Sequence, residues 1–380
     1  MSTPRGWPLP RAAYVHVPFC ARRCGYCNFA VVAGRDDLVD AYLEALAREL
    51  SWLGTPCPVA TVFIGGGTPT HLRPDQLDRL LRLVLRWFPL DADGEFTVEA
   101  NPADVNCERL AILARHGVTR ISLGAQSLND AKLRVLERDH SADDVVHAVE
   151  LARHHFAAIS LDLIFAAPGE SFETWASDLE AALALGADHL STYGLTYERG
   201  TRFFGRLRKK ELHEVEEELQ RCMYEHAIRT LTAAGFEHYE ISNFARRGRR
   251  CRHNEVYWAG DGYYAAGAGA ARYIDGRRET NHRSPFTYIQ RALSGASPVA
   301  ESESLGPEDR AREMLVLGLR RIEGVEPADF TDRSGMDIWD LAGEPLRKWF
   351  SSGLAEEVDG RIRLTREGLL ISDSLWPSVL

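Results

Sequence analysis

From residue 12 to about residue 195 the chain alternates short β-branched runs with longer stretches of helical period. The strand-like runs are YVHVP (14–18), TVFIGGG (61–67), EFTVEANP (95–102), VTRISLG (118–124), AISLDLIFA (158–166) and DHLSTYGL (188–195). Between them, apolar positions recur every three to four residues over 37–53, 74–88, 107–116, 129–137, 143–156 and 172–185, the spacing of amphipathic helices. Asp75, Ser141 and Ser171 stand near predicted helix starts as caps, and Gly117 and Gly186 follow helix ends. Strands that alternate with helices predict an α/β fold, a parallel sheet covered by helices. Six units are too few for the eight-unit closed barrel and suit an open, partial (β/α)6 barrel.

Further along the pattern changes. Residues 206–234 read as one long charged helix ending at Gly235. A basic loop, RRGRRCRH (246–253), and an aromatic, glycine-rich stretch, YWAGDGYYAAGAGAARY (257–273), come next. Residues 308–380 predict helices, a β-hairpin turning at Asp359-Gly360 and a final helix, a small winged-helix-like α+β module. The expected organisation is an N-terminal tail (1–11), the partial barrel (12–200), a barrel extension (201–305) and a small C-terminal domain (306–380).

Composition adds exclusions. With 45% hydrophobic and 26% charged residues among 380, the chain reads as an ordinary soluble globular protein. A formal net charge of -10 argues against a nucleic-acid-binding surface, and no apolar run is long enough to span a bilayer. MSTPRGWPLP lacks the apolar centre of a secretory signal, so a cytoplasmic location with reduced thiols is expected. Seven cysteines, an odd number unevenly spread, then read as metal-binding or catalytic rather than as a disulfide framework.

Three of them, Cys20, Cys24 and Cys27, form C-x₃-C-x₂-C with no fourth thiol close by. Zinc is one reading, with His16 as the fourth ligand. His16 lies within a predicted strand, however, and its side chain alternates away from the loop. Ferredoxin spacings differ from this one. Three thiolates on a cubane would leave one iron open to a substrate or cofactor. Beyond the cysteines, GGGTPT (65–70) follows the second predicted strand. It lacks the Gly-Lys-Ser/Thr of a phosphate loop, and its plainest reading is a tight Gly-Pro turn. Glu99, Gln126 and Asp162 fall where successive strands end, the face on which barrel active sites are built. Arg138 offers a cation for a carboxylate, and Tyr14 opens the first strand.

The cysteine spacing, with Tyr26 just before the last thiol, resembles the radical S-adenosylmethionine (SAM) superfamily. In that superfamily three cysteines hold a 4Fe–4S cluster, the open iron is chelated by the amino and carboxylate groups of SAM, and reduction cleaves SAM to a 5′-deoxyadenosyl radical. The ordered set YxHxPFC, GGGTPT, VEANP, GxQS, LxRxH and DLIFAxPG resembles the oxygen-independent coproporphyrinogen III oxidase family over nearly the full chain. The resemblance implies a SAM pocket lined by Tyr14, Tyr26, Gly66, Gly67, Thr68, Glu99, Gln126, Arg138 and Asp162, with Thr196 a weaker carry-over. It also implies that the glycines let backbone groups approach SAM closely.

Two branches of that family differ at identifiable positions. The oxidase, which decarboxylates coproporphyrinogen III to protoporphyrinogen IX, carries a fourth cysteine two residues after the third and a longer N-terminal extension. Here Phe29 takes the cysteine's place and the cluster motif begins at residue 20. In these features, and in HNxxYW at His253–Trp258, the chain resembles the heme chaperone (HemW) branch. That resemblance implies heme as cargo, passed to heme-accepting proteins such as respiratory enzymes, some of them at a membrane, with a homodimer as a candidate assembly and no nucleic-acid partner. It makes His253 an axial heme ligand, a role neutral imidazole fills readily. Tyr257 and Trp258 would offer flat apolar surface, and Arg246, Arg247, Arg249, Arg250 and Arg252 would face propionates. The bland alternatives are a solvated loop histidine and a solvated basic face. Cys251 is a secondary ligand candidate, and Cys57, Cys107 and Cys222 read as buried, inert thiols.

Overall fold

The structure, a computed structural model, describes residues 9–380, so most of the expected N-terminal tail lies outside the described residues. Six strands form the centre: β1 (Ala12–Val17), β2 (Val59–Gly66), β3 (Leu90–Ala100), β4 (Arg120–Gln126), β5 (Ala158–Phe165) and β6 (His189–Gly194). They pair in sequence order and all in parallel, as six successive strand–helix units require. Helices α1 (Val39–Ser51), α2 (Pro74–Trp87), α3 (Cys107–Arg115), α4 (Asp130–Val135), α5 (Ala142–Arg153) and α6 (Phe172–Ala184) lie between them. Leu77, Leu80, Leu81 and Val84 of α2 illustrate the buried stripe that the helical period predicts. Ser141 and Ser171 cap α5 and α6, accepting from the Asp144 and Thr174 amides. Gly117 and Gly186 follow α3 and α6 with positive φ. Asp75 is not a cap: α2 begins at Pro74, and Asp75 sits in its first turn, paired with Arg73.

The expected helix over 206–234 is two. Helix α7 (Arg202–Arg208) ends before Lys210, whose φ of 60° breaks the helix, and α8 (Glu217–Ala233) begins after a loop. Strands β7 (Glu237–His238) and β8 (Asn243–Ala245) extend the sheet beyond β6, antiparallel. The basic stretch is only partly a loop, because His253 lies on helix α9 (Arg252–Trp258). Strand β9 (Tyr264–Gly267) then pairs in parallel with β1. The sheet therefore has nine strands in the order β9-β1-β2-β3-β4-β5-β6-β8-β7, open rather than closed.

Strands β10 (Ala271–Ile274), β11 (Arg277–Asn281) and β12 (Val299–Ser304) make a small antiparallel sheet, with α10 (Pro285–Leu293) between the last two. A separate cluster of buried side chains follows, from Ala311 to Val379. It is built on α11 (Pro307–Leu319), α12 (Pro327–Ser334), α13 (Ile338–Ser351) and the hairpin β13 (Ala355–Val358) to β14 (Arg361–Leu364). The hairpin turns at Asp359-Gly360, both with positive φ, the conformation a two-residue turn of this kind demands. Among the described residues no helix is long and apolar enough to cross a membrane.

Candidate functional site at the strand ends

Beyond the carboxyl ends of the central strands lies a cavity of about 560 Å³. Its wall includes Cys20, Cys24 and Cys27 together with Tyr26, Gly66, Gly67, Thr68, Glu99, Gln126, Arg138, Asp162 and Thr196. Residues from the ends of all six central strands and the loops after them thus meet at one place. Tyr14 is the exception: it does not line the cavity, and its hydroxyl lies 3.1 Å from His16 Nδ1.

The cysteine loop is held from both sides. Phe19–Cys20 pairs with Val32–Ala33, returning the chain across the loop, and the Cys27 amide donates to the Cys24 carbonyl at 3.3 Å. From the other side, the Phe203 amide on α7 donates to Gly25 O at 2.9 Å, and Arg202 donates to Arg23 O at 2.8 Å. The Phe203 ring meets Tyr26 edge-on at 6.1 Å. This buttress lies about 180 residues downstream of the thiols it supports, and no motif in the chain announces it. His16 is not available as a ligand, because Nδ1 meets Tyr14 and Nε2 meets Ala30 O at 3.0 Å.

Among the described residues no three His, Cys, Asp or Glu side chains are grouped to hold a single metal ion. The three thiols instead share the wall of one cavity, an arrangement suited to a polynuclear group that takes one thiolate at each of three corners. Burial pushes the Cys20 thiol up to about 12, partly offset by the Thr68 hydroxyl 3.7 Å away. Metal binding at such thiols releases protons.

Two carboxylates floor the cavity. The Gly66 amide donates to Glu99 Oε2 at 2.8 Å, and Ser122 Oγ donates to Asp162 at 3.2 and 3.4 Å. Burial, and then repulsion from Asp162, raises Glu99 to about 8; burial also raises Asp162. Opposite them, Arg138 donates to Asn101 Oδ1 at 3.1 Å and Gly124 O at 3.0 Å and comes within 3.4 Å of Cys24 Sγ. Its buried Nε has no partner, an orphan donor at a polar cavity. Gln126 adopts φ 65° where the register of β4 against β5 shifts, so a bulge carries it into the cavity wall. Sequence reading passed over Ser122, Tyr193 and Arg283, which also line it. The first two are inside quoted strands without a distinguishing pattern, and Arg283 comes from the far side of the chain.

The two glycines on the cavity wall also serve the packing behind it. Gly66 has φ 104°, and a Cβ there would run into the His16 ring. One on Gly67 would stand 2.7 Å from Val17 O and 2.6 Å from Phe19 O. Their bareness seats β2 against β1 and the cysteine loop, and so fixes the cavity wall from behind.

The HNxxYW residues lie elsewhere, at the amino ends of the strands. His253 is 1% exposed. Its Nδ1 lies 2.9 Å from Thr61 Oγ1 and its Nε2 2.9 Å from Tyr257 Oη, with Phe63 packed against the ring. Burial lowers it to about 3, so the imidazole is neutral, but neither nitrogen is free. Axial ligation through His253 would require one of these bonds to break and α9 to unpack. The basic run before it is tied down as well: Arg120 donates to the Arg249 and Arg250 carbonyls, Arg250 pairs with Glu237, and Arg252 donates to Asp93 O. Cys251 is buried, with Sγ 3.5 Å from Glu95. Cys107, expected to be buried, is exposed at the start of α3, and Cys57, in the loop before β2, and Cys222, on α8, are half-buried.

Comparison with known proteins shows the family. Residues 14–182 match the Radical SAM superfamily and residues 305–371 the HemN C-terminal domain. Proteins named heme chaperone HemW from Bacillus subtilis (strain 168) and Lactococcus lactis subsp. lactis (strain IL1403) are each 36% identical to the chain. The first alignment covers 97% of this chain and 99% of the relative, the second 98% and 97%. The fold is that of the Escherichia coli coproporphyrinogen III oxidase HemN, a radical SAM enzyme: the TM-score is 0.85 at 22% identity, over 98% of this chain and 90% of that one. The superfamily implies a 4Fe–4S cluster and SAM, and the cavity holds the thiols for the first. The chain belongs to the radical SAM superfamily and, within its HemN-like family, to the HemW branch.

Proposed function

We propose that the chain is a heme chaperone, binding heme together with a 4Fe–4S cluster and SAM and delivering heme to acceptor proteins in the cytoplasm or at a membrane. The observation that carries this reading is Phe29. It stands at the rim of the cysteine-lined cavity where the oxidase branch places a fourth cysteine, and the HemW-named relatives match nearly end to end. Cys20, Cys24 and Cys27 would hold the cluster, which supplies one-electron reduction of SAM when bound. Glu99 and Asp162 offer negative charge to the cationic part of such a ligand, and Arg138 offers its orphan donor to an anionic part. Gly66, held by Glu99, and Gln126, aimed by its bulge, present polar groups along the wall. Tyr26, braced by Phe203, keeps the cysteine loop in place. The divisions at 12–200, 201–305 and 306–380 belong to the same reading.

The alternative is oxygen-independent oxidation of coproporphyrinogen III, which shares the cluster and SAM. The experiment is a pair of anaerobic assays on cluster-reconstituted protein. The chaperone reading expects saturable binding of hemin and no SAM-dependent conversion of coproporphyrinogen III. Conversion to protoporphyrinogen IX would assign the oxidase activity instead.

A further inference from the structure

The chaperone reading leaves open where the cargo sits, and the two ends of the barrel differ in what they offer. At the base, His253 is enclosed and both its nitrogens are engaged. At the mouth, Phe29 is 64% exposed although it lines the cavity. Arg22, Arg23 and Arg283 line the same cavity, and none of the three has a carboxylate partner. Arg22 and Arg23 are exposed. Arg23 reaches only the Cys27 carbonyl, at 3.5 Å, and Arg283 only the Asn28 carbonyl. Among the described residues these three guanidiniums make no ion pair, although Asp139 and Glu198 line the same cavity, and the exposed Phe29 ring shares that wall with them. A flat apolar face bordered by cations is complementary to a flat apolar dianion.

We propose that the tetrapyrrole cargo docks across the mouth of the barrel, its face on Phe29 and its propionates on Arg22, Arg23 and Arg283, and that His253 is a structural residue of the barrel base rather than an iron ligand. The proposal rests on the heme-cargo reading above. It places the cargo beside the cysteine loop, so that the cluster and the cargo share one opening. Helix α9 then serves the fold: His253 fills the base through Thr61, and Trp258 at the other end of the helix stacks under Arg320 of the C-terminal helices, 5.2 Å from the ring centroid.

The test is hemin titration of full-length, cluster-reconstituted protein, followed by the Soret band. The parent is compared with Phe29→Ala, a combined Arg22→Ala/Arg23→Ala variant and Thr61→Val. Thr61→Val disturbs the His253 environment without removing the imidazole, and His253→Asn is added where it folds. The proposal expects hemin binding to weaken about tenfold or more, some 1.4 kcal/mol, in both mouth variants, with the cluster absorbance kept. It expects Thr61→Val and any folded His253→Asn to bind hemin as the parent does, with the same Soret position. Parent-like binding by both mouth variants would overturn it, as would loss of binding confined to the His253 variants. Loss of the cluster without loss of hemin affinity in the arginine variant would assign those cations to the cluster and overturn it too. A parent that binds no hemin would instead remove the cargo reading itself.

Discussion

The two ends of the barrel carry buried charge in opposite ways. At the amino ends of the strands, Arg120 and Glu95 form a buried ion pair at 3.1 Å. Arg120 also reaches Ser160 and two backbone carbonyls, while Glu95 receives the His253 amide at 3.1 Å and the Cys251 thiol. Each group completes its bonding inside the protein. At the carboxyl ends, burial and then Asp162 raise Glu99, burial raises Asp162, Arg138 keeps an orphan Nε, and three thiols line the cavity wall unpaired by disulfides. The Arg120–Glu95 pair is enclosed by its protein partners, whereas Glu99, Asp162 and the Arg138 Nε face a cavity. The HNxxYW residues lie at the enclosed end, with His253 bonded to Thr61 and Tyr257, and the cysteine motif lies at the open one.

Substitutions break the comparison in order of size. Cys24→Ala at the mouth is expected to abolish cluster absorbance after anaerobic reconstitution while leaving the fold intact by circular dichroism. A colourless parent binding one zinc would contradict the cluster itself. At the base, Arg120→Met should cost about 3–5 kcal/mol in denaturant unfolding, because it strands Glu95 and the carbonyls of Arg249 and Arg250 in a dry setting. A loss under about 1 kcal/mol would show that the base is wet and the pair unimportant.

Glu99 gives a pH signature opposite in sign to that of His253 at the base, whose imidazole burial lowers to about 3. Its carboxyl is raised from 4.5 to about 8, so the folded protein holds a proton that the unfolded chain gives up. The associated stability is fully present below pH about 4.5 and is lost as the pH rises toward 8. Glu99→Gln should flatten that part of the stability profile of the cofactor-free protein, measured by urea unfolding at a series of pH values. An unchanged slope would move the titration to another group. Phe29→Ala should have the smallest effect on folding, within about 0.5 kcal/mol, since the ring is largely in solvent. A much larger loss would mean that Phe29 packs rather than waits.

The central units were legible because each buries a helix stripe or a strand, and such burial leaves a period in the chain. The hairpin at Asp359-Gly360 was legible for a chemical reason, the positive φ of both turn residues. The cavity wall was legible as motifs, because its residues sit at strand ends in order. What escaped depends on contacts across long stretches of chain. The break at Lys210 leaves the charge pattern uninterrupted. Arg283 meets Asn28 across 255 residues. His253 reads as a polar loop residue until Glu95, 158 positions earlier, is seen to receive its amide and draw α9 under the sheet. Sequence motifs picked out residues that meet at the mouth, but a motif alone could not say which end of the barrel His253 occupies.

The most direct test of an equipped mouth over a satisfied base is the electron paramagnetic resonance spectrum of the reduced, reconstituted protein with and without SAM. The account predicts that SAM shifts the cluster signal in the parent and in Thr61→Val alike, because Cys20, Cys24 and Cys27, which would hold the cluster, line the cavity at the mouth, away from Thr61. A cluster signal indifferent to SAM in the parent, or a shift that Thr61→Val abolishes, would contradict it.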